Sequence, residues 1–120
     1  MPRVLLVEDN PDTGASVQLM LELAGHEVVW VKSGKQALKH LTPEPQADVV
    51  LTDILMPDMD GIETIQYMRK THPTLPVIAM TGQVQAPYLR AATLFGVKAT
   101  LQKPFTFEQL QGALAKALGA

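Results

Sequence analysis

Cysteine is absent from the 120-residue chain. That removes disulfides, thiolate metal sites and cysteine nucleophiles, and it fits a reducing cytosol. The longest apolar runs are four residues, as at Val4–Val7 and Val28–Val31, too short for a membrane span or a signal peptide. Charge of one sign is lacking too. The net charge of −2 leaves no global basic field to hold nucleic acid directly.

The chain is nonetheless well supplied for a core. Apolar residues make up 47% and charged residues 18%, which excludes intrinsic disorder. The length suits one domain, residues 1–120, burying roughly two-thirds of its unfolded surface. The small net charge hides a division. Residues 1–86 carry 11 acidic and 6 basic side chains, whereas 87–120 carry 1 and 4, so two faces meeting different partners is one reading and chance scatter the other.

Three short runs, Val4–Val7, Val49–Thr52 and Val77–Met80, are continuously apolar rather than alternating. That pattern predicts strands buried on both faces, as in a parallel sheet. Weaker strand signals lie at Glu27–Val31 and Ala99–Leu101. Helical segments separate them. Asn10-Pro11 opens one running to about Ala24, with Val17, Met20, Leu21 and Ala24 on its apolar stripe and Gly25 as its stop. Ser33 and Gln36 have capping-box spacing before Ala37, Leu38 and Leu41, and Asp60 to Glu63 repeats the logic at the next helix, which ends before Pro73. Pro87 suits the first position of a helix ending near Gly96. Thr106 and Gln109 form a capping box with Phe105 and Leu110 as a staple, and Phe107, Leu110, Leu114, Ala117 and Leu118 follow as a core-facing stripe. Pro43-Glu44-Pro45 marks an exposed loop. Strand and helix alternate five times, an α/β doubly wound sheet with helices on both faces.

In such sheets ligands sit outside the carboxyl ends of the strands. Glu8 and Asp9 follow the first buried strand, Asp53 the third, Thr81 the fourth, and Lys103-Pro104 the fifth. Singly, each has an ordinary explanation as a helix cap, an Asx-turn, a turn residue or a solvated charge. Together they gather three carboxylates, a hydroxyl and an ammonium at one edge. At about 4 Å and an effective dielectric near 20, each carboxylate pair repels by roughly 4 kcal/mol. A cation makes such a cluster tolerable, and hard oxygen ligands with few protein donors suit Mg²⁺. Lys103 and Thr81 are suited to phosphoryl oxygens, and an aspartate is a known nucleophile toward phosphorus.

Other phosphate chemistries fit worse. Gly34-Lys35 is followed by Gln36 and lacks the upstream glycine of a P-loop, and no G-x-G-x-x-G follows the first strand. His26, His40 and His72 are scattered and read as surface or helix-end residues.

Val7-Glu8-Asp9-Asn10, Asp53-Ile54-Leu55-Met56-Pro57-Asp58-Met59-Asp60-Gly61, Met80-Thr81-Gly82 and Lys103-Pro104-Phe105 occur in this order at the strand ends. Over essentially its whole length the chain resembles the receiver domains of two-component response regulators, the CheY-like family. The resemblance implies a flavodoxin-like five-stranded parallel sheet in the order 2-1-3-4-5. It implies that Asp53 accepts a phosphoryl group from a phosphohistidine on a sensor histidine kinase or histidine phosphotransfer protein, as a conformational switch in cytoplasmic signal transduction. Asp9, Asp53 and the Leu55 carbonyl would ligate Mg²⁺, with Glu8 acting largely through water. Thr81 would contact the phosphoryl oxygen, and Lys103 would pair with the phosphoryl group beside a cis bond to Pro104. Gly82 would leave the group accessible, while Leu55 and Gln83 would tune the lifetime of the phosphorylated state.

One position departs from the family pattern. Many relatives carry an aromatic residue three before the lysine; here it is Thr100. Switching is therefore expected to rely on Thr81 and the loop Gly82–Ala86, with an effector reading the last two helices, where Arg90, Gln109, Gln111 and Lys116 point outward. A turnover enzyme with an aspartyl-phosphate intermediate would carry a second carboxylate two residues after Asp53, where Leu55 stands. A degenerate receiver that only binds partners would usually have lost one of Glu8, Asp9, Asp53, Thr81 or Lys103. The expectation is a phosphoacceptor that takes part in its own phosphorylation and slow dephosphorylation, not an enzyme acting on other substrates.

Overall fold

The computed structural model describes residues 2–41, 46–54, 61–82 and 87–119. The loop at 43–45, residues 55–60 with Leu55 and Asp60, and Gln83 to Ala86 lie outside the described residues. In chain order the elements are β1 (Arg3–Val7), α1 (Pro11–Leu23), β2 (Glu27–Val31), α2 (Gly34–Lys39), β3 (Val49–Asp53), α3 (Gly61–Thr71), β4 (Val77–Gly82), α4 (Pro87–Leu94), β5 (Ala99–Lys103) and α5 (Phe107–Leu118). The strands form one parallel sheet in the order β2-β1-β3-β4-β5.

Burial explains the strand signals. The central strands β1, β3 and β4 are buried almost throughout, whereas the edge strands β2 and β5 alternate. A central strand is covered on both faces, so its sequence reads as an unbroken apolar run. Each edge strand has solvent on one side, and its apolar signal is diluted.

Alternating side chains divide the core in two. Val4 and Leu6 of β1, Val49 and Leu51 of β3, and Ala99 and Leu101 of β5 pack with Val17 and Leu21 of α1 and with Leu110, Ala113, Leu114 and Ala117 of α5. Leu5, Val7, Val50, Val77 and Ala79 face the other way, toward Ala37 of α2, Ile65 and Met68 of α3 and Ala92 of α4.

The helix ends follow local chemistry with two departures from expectation. Asn10 caps α1, its side chain accepting from the N–H groups of Asp12 and Thr13, and Gly25 (φ 90°) stops the chain in the left-handed region that favours glycine. Thr106 and Gln109 form a full capping box at α5. At α2 the box is displaced: Ser33 Oγ accepts from Gln36 N–H, but Gln36 Oε1 accepts from Lys32 N–H at 2.8 Å, one residue before the cap. Phe107 does not join the core stripe, being 37% exposed. It is the first residue of α5, where the helix has only begun to return over the sheet. Arg90, Gln109, Gln111 and Lys116 are exposed.

Candidate functional site

The period of two that builds the core also builds the rim. Continuing β1 past Leu6 carries Glu8 to the α1/α5 side, and the same step carries Leu51 to Asp53 and Leu101 to Lys103. Val7 pairs with Thr52 in the parallel register, so one further residue sets Glu8 beside Asp53. Lys103 stands two strands from Asp53, roughly 10 Å across the sheet, and its long stem spans β4. Its Nζ donates to Glu8 Oε1 at 2.8 Å and to Asp53 Oδ2 at 3.0 Å.

Glu8 has no side-chain exposure and Asp53 only 7%. A buried carboxylate must be fully provided with donors. Glu8 Oε2 accepts from the Asn10 N–H at 3.1 Å, its own N–H donates to Val31 O, and its carbonyl accepts from the Trp30 indole at 2.9 Å. Burial pushes the Glu8 carboxyl above its ordinary range, against the opposing pull of Lys103 and the Asn10 N–H, and the Asp53 charge pushes it further up. Burial alone would lower the Lys103 ammonium. Its hydrogen bonds and charge attraction to Glu8 and Asp53 together outweigh that and hold it above its usual value.

Asp9 completes the group from the exposed side. Carboxylate oxygens of Glu8, Asp9 and Asp53 all lie within 4.8 Å of one another. Three hard anionic oxygens this close, with one ammonium on two of them, fit a small divalent cation such as Mg²⁺ by the chemistry of the donor set. Among the described residues no other cluster of His, Cys, Asp or Glu approaches metal-binding spacing.

The remaining sequence candidates are distributed as follows. Thr81 is fully buried in β4, one residue beyond Met80, which pairs with Asp53. Gly82 ends β4 and pairs with Lys103. Asp53, Thr81 and Lys103 thus lie in the final residues of their strands, not after them, because pairing continues under the polar rim. The Lys103–Pro104 peptide is cis. Thr100 sits exposed on β5, three strand positions before Lys103. Leu55 and Gln83 lie outside the described residues.

The fold has known relatives. The family model for the response regulator receiver domain matches residues 4–115. The chain belongs to the response regulator receiver family. The family role is that of a phosphoacceptor switch. Among curated relatives, the receiver is 34% identical over 115 residues to the probable C4-dicarboxylate response regulator DctR of Halalkalibacterium halodurans, covering 95% of this chain and 50% of that protein. It is 37% identical over 123 residues to the sensor histidine kinase GacS of Pseudomonas protegens, covering 98% of this chain and 13% of the kinase. The receiver thus spans half or less of the length of these relatives. A solved relative is the receiver domain of sensor histidine kinase PA1611 from Pseudomonas aeruginosa PAO1, with magnesium coordinated in its active-site cleft. Its TM-score is 0.89 at 29% identity, over 99% of this chain and 98% of that one.

Sequence reasoning missed one participant at the rim. Trp30, on β2, binds the backbone of Glu8 from 22 residues away, and a bond to a backbone carbonyl leaves no residue-type signal at the accepting end.

Proposed function

We propose that residues 1–120 act as a single receiver in which Asp53 accepts a phosphoryl group from a phosphohistidine. The observation that carries this is the meeting of three carboxylates within 4.8 Å with Lys103 on two of them. Asp53 is the nucleophile. Its carboxylate oxygen forms the new P–O bond as the P–N bond to the donor imidazole breaks, and the leaving imidazole nitrogen takes a proton. Asp9 and Asp53, together with the Leu55 carbonyl, are the proposed Mg²⁺ ligands, with Glu8 reaching the ion largely through water. The ion, when bound, offsets negative charge on the transferring group.

Lys103 holds Asp53 before the reaction and turns to a phosphoryl oxygen afterwards, since its Nζ is already within 3.0 Å of the acceptor. Thr81 donates to another phosphoryl oxygen, and Gly82 leaves the approach open. Leu55 at the second position after Asp53 offers no acid or base, so dephosphorylation is slow and the protein works as a switch, not as an enzyme with turnover on other substrates. The added charge and acceptor oxygens draw donors inward and shift the population between two conformations. An effector reads that shift through α4, β5 and α5, where Arg90, Gln109, Gln111 and Lys116 are exposed. Thr100 supplies no bulky ring for this coupling, which instead runs through Thr81 and the segment after it. The donor is a sensor histidine kinase or histidine phosphotransfer protein, which places the reaction in the cytoplasm, where nucleoside triphosphate is available. Direct binding to nucleic acid or membrane forms no part of this function.

Incubation with a small phosphodonor and Mg²⁺, followed by intact-mass measurement, tests the acceptor. The wild type gains one phosphoryl group and Asp53→Asn gains none. Equal incorporation in the two would remove Asp53 from the role.

A further inference from the structure

The indole of Trp30, the chain's single tryptophan, occupies a place that the sheet itself does not fill. Glu8 N–H donates to Val31 O at 3.0 Å, continuing the β1–β2 ladder by one rung. In a parallel ladder the next rung would take a backbone N–H from two residues beyond Val31 to the Glu8 carbonyl. β2 ends at Val31, however, and Ser33 already caps α2. The donor comes from a side chain instead: Trp30 Nε1 reaches Glu8 O at 2.9 Å.

This carbonyl belongs to the peptide that joins the two acids of the rim. A peptide is planar, so fixing its C=O also fixes the Asp9 N–H and the direction in which the Asp9 Cα leaves. Glu8 has other restraints, from Lys103 and the Asn10 N–H. Asp9 is exposed, and its carboxylate is placed largely by its backbone. The ring is received by α1 at a buried glycine. A Cβ on Gly14 would lie 1.9 Å from Trp30 Cζ2 and 2.3 Å from Cε2, so any larger residue there displaces the indole. Lys32 Nζ lies 5.7 Å from the ring centroid.

We infer that Trp30, seated against Gly14, is a positioning residue that holds the Glu8–Asp9 peptide and thereby presents Asp9 to the divalent cation. The inference rests on the proposed metal-binding reading of the acidic rim. A tryptophan present only to fill the core would need its ring and not its N–H.

The test separates the two. Trp30 is replaced by benzothienylalanine, which keeps the bicyclic shape and lacks the N–H, and by Phe. Mg²⁺ affinity is read from backbone amide shifts, and stability from thermal melts in chelator. The benzothienyl protein is expected to bind Mg²⁺ about two- to tenfold more weakly, the worth of one neutral hydrogen bond, with its metal-free melt near that of the wild type. In the wild type, the indole N–H resonance shifts as Mg²⁺ is added. Equal Mg²⁺ affinity in both proteins overturns the positioning role alone. So does an indole resonance unmoved at saturation, a readout that stands even where a variant fails to fold. A wild type that binds no Mg²⁺ at millimolar concentration overturns the metal reading, and the positioning role with it.

Discussion

Both rims of the sheet carry a cation paired with carboxylate, yet the two pairs differ in kind. At the amino-terminal rim, Arg3 Nε lies 3.8 Å from Asp48 Oδ2, with the side chains 50% and 47% exposed. At the carboxyl rim, Lys103 is 20% exposed and its partners Glu8 and Asp53 are 0% and 7%. Water screens the first pair, and its side chains lose entropy in meeting, so it contributes little. The second pair has left water. Its desolvation is offset only while every charge keeps its partners. An exposed pair of this kind tolerates change, whereas the charges of the buried group depend on one another.

Removing the ammonium breaks the comparison most severely. Lys103→Met leaves two buried carboxylates without it, and a loss of about 3 kcal/mol is expected in chelator. The pH dependence follows from the raised Lys103 value. A proton bound more tightly in the folded state stabilises fully below the unfolded value of about 10.4, and that contribution fades as pH climbs through the higher folded value. Urea melts in chelator from neutral to alkaline pH should show this alkaline loss in the wild type and not in Lys103→Met. Identical profiles would mean that the buried pair behaves like the exposed one.

Asp9→Asn sharpens the comparison with a smaller effect of opposite sign. Without metal, relieving the repulsion toward Glu8 and Asp53 should stabilise the fold by up to about 1 kcal/mol, because Asp9 is exposed and partly screened. With Mg²⁺ at ten times its dissociation constant, the wild type should gain about 1.4 kcal/mol, and the variant should lose most of that gain. A variant destabilised in chelator would show that Asp9 supports the fold in its own right.

The rims also differ in how far they could be read in advance. Glu8, Asp53 and Lys103 stand at the ends of strand segments, and a period of two turns all three to one face, so any parallel arrangement of those strands gathers them at one edge. The strand order does not follow from pattern, because periodicity says nothing about which strands are neighbours; it came from the resemblance to receivers. Phe107 fits the helical stripe yet lies 37% exposed, since periodicity assigns a face without saying where the sheet beneath it ends. The displaced cap at Gln36 and the bond from Trp30 both go to backbone atoms of residues 32 and 8. Backbone acceptors and donors are present at nearly every residue, so such bonds have no signature in composition or spacing.

The smallest effects belong to the amino-terminal rim, and they separate two contributions that share one carboxylate. Asp48 Oδ2 faces Arg3 Nε at 3.8 Å, but it also accepts from the Arg3 backbone N–H at 2.7 Å. Arg3→Ala removes the ion pair and keeps the N–H, so a change under about 0.5 kcal/mol is expected. Asp48→Ala removes both, and the lost hydrogen bond should bring the cost to about 1 kcal/mol. Neither variant should alter Mg²⁺ affinity, since the charges they remove stand at the opposite end of β1 from the acidic rim and are screened by water. Chemical denaturation of the two variants decides the order. Were Arg3→Ala the more damaging, the exposed charge would outweigh the backbone bond, and the contrast drawn from burial would fail at its weaker end.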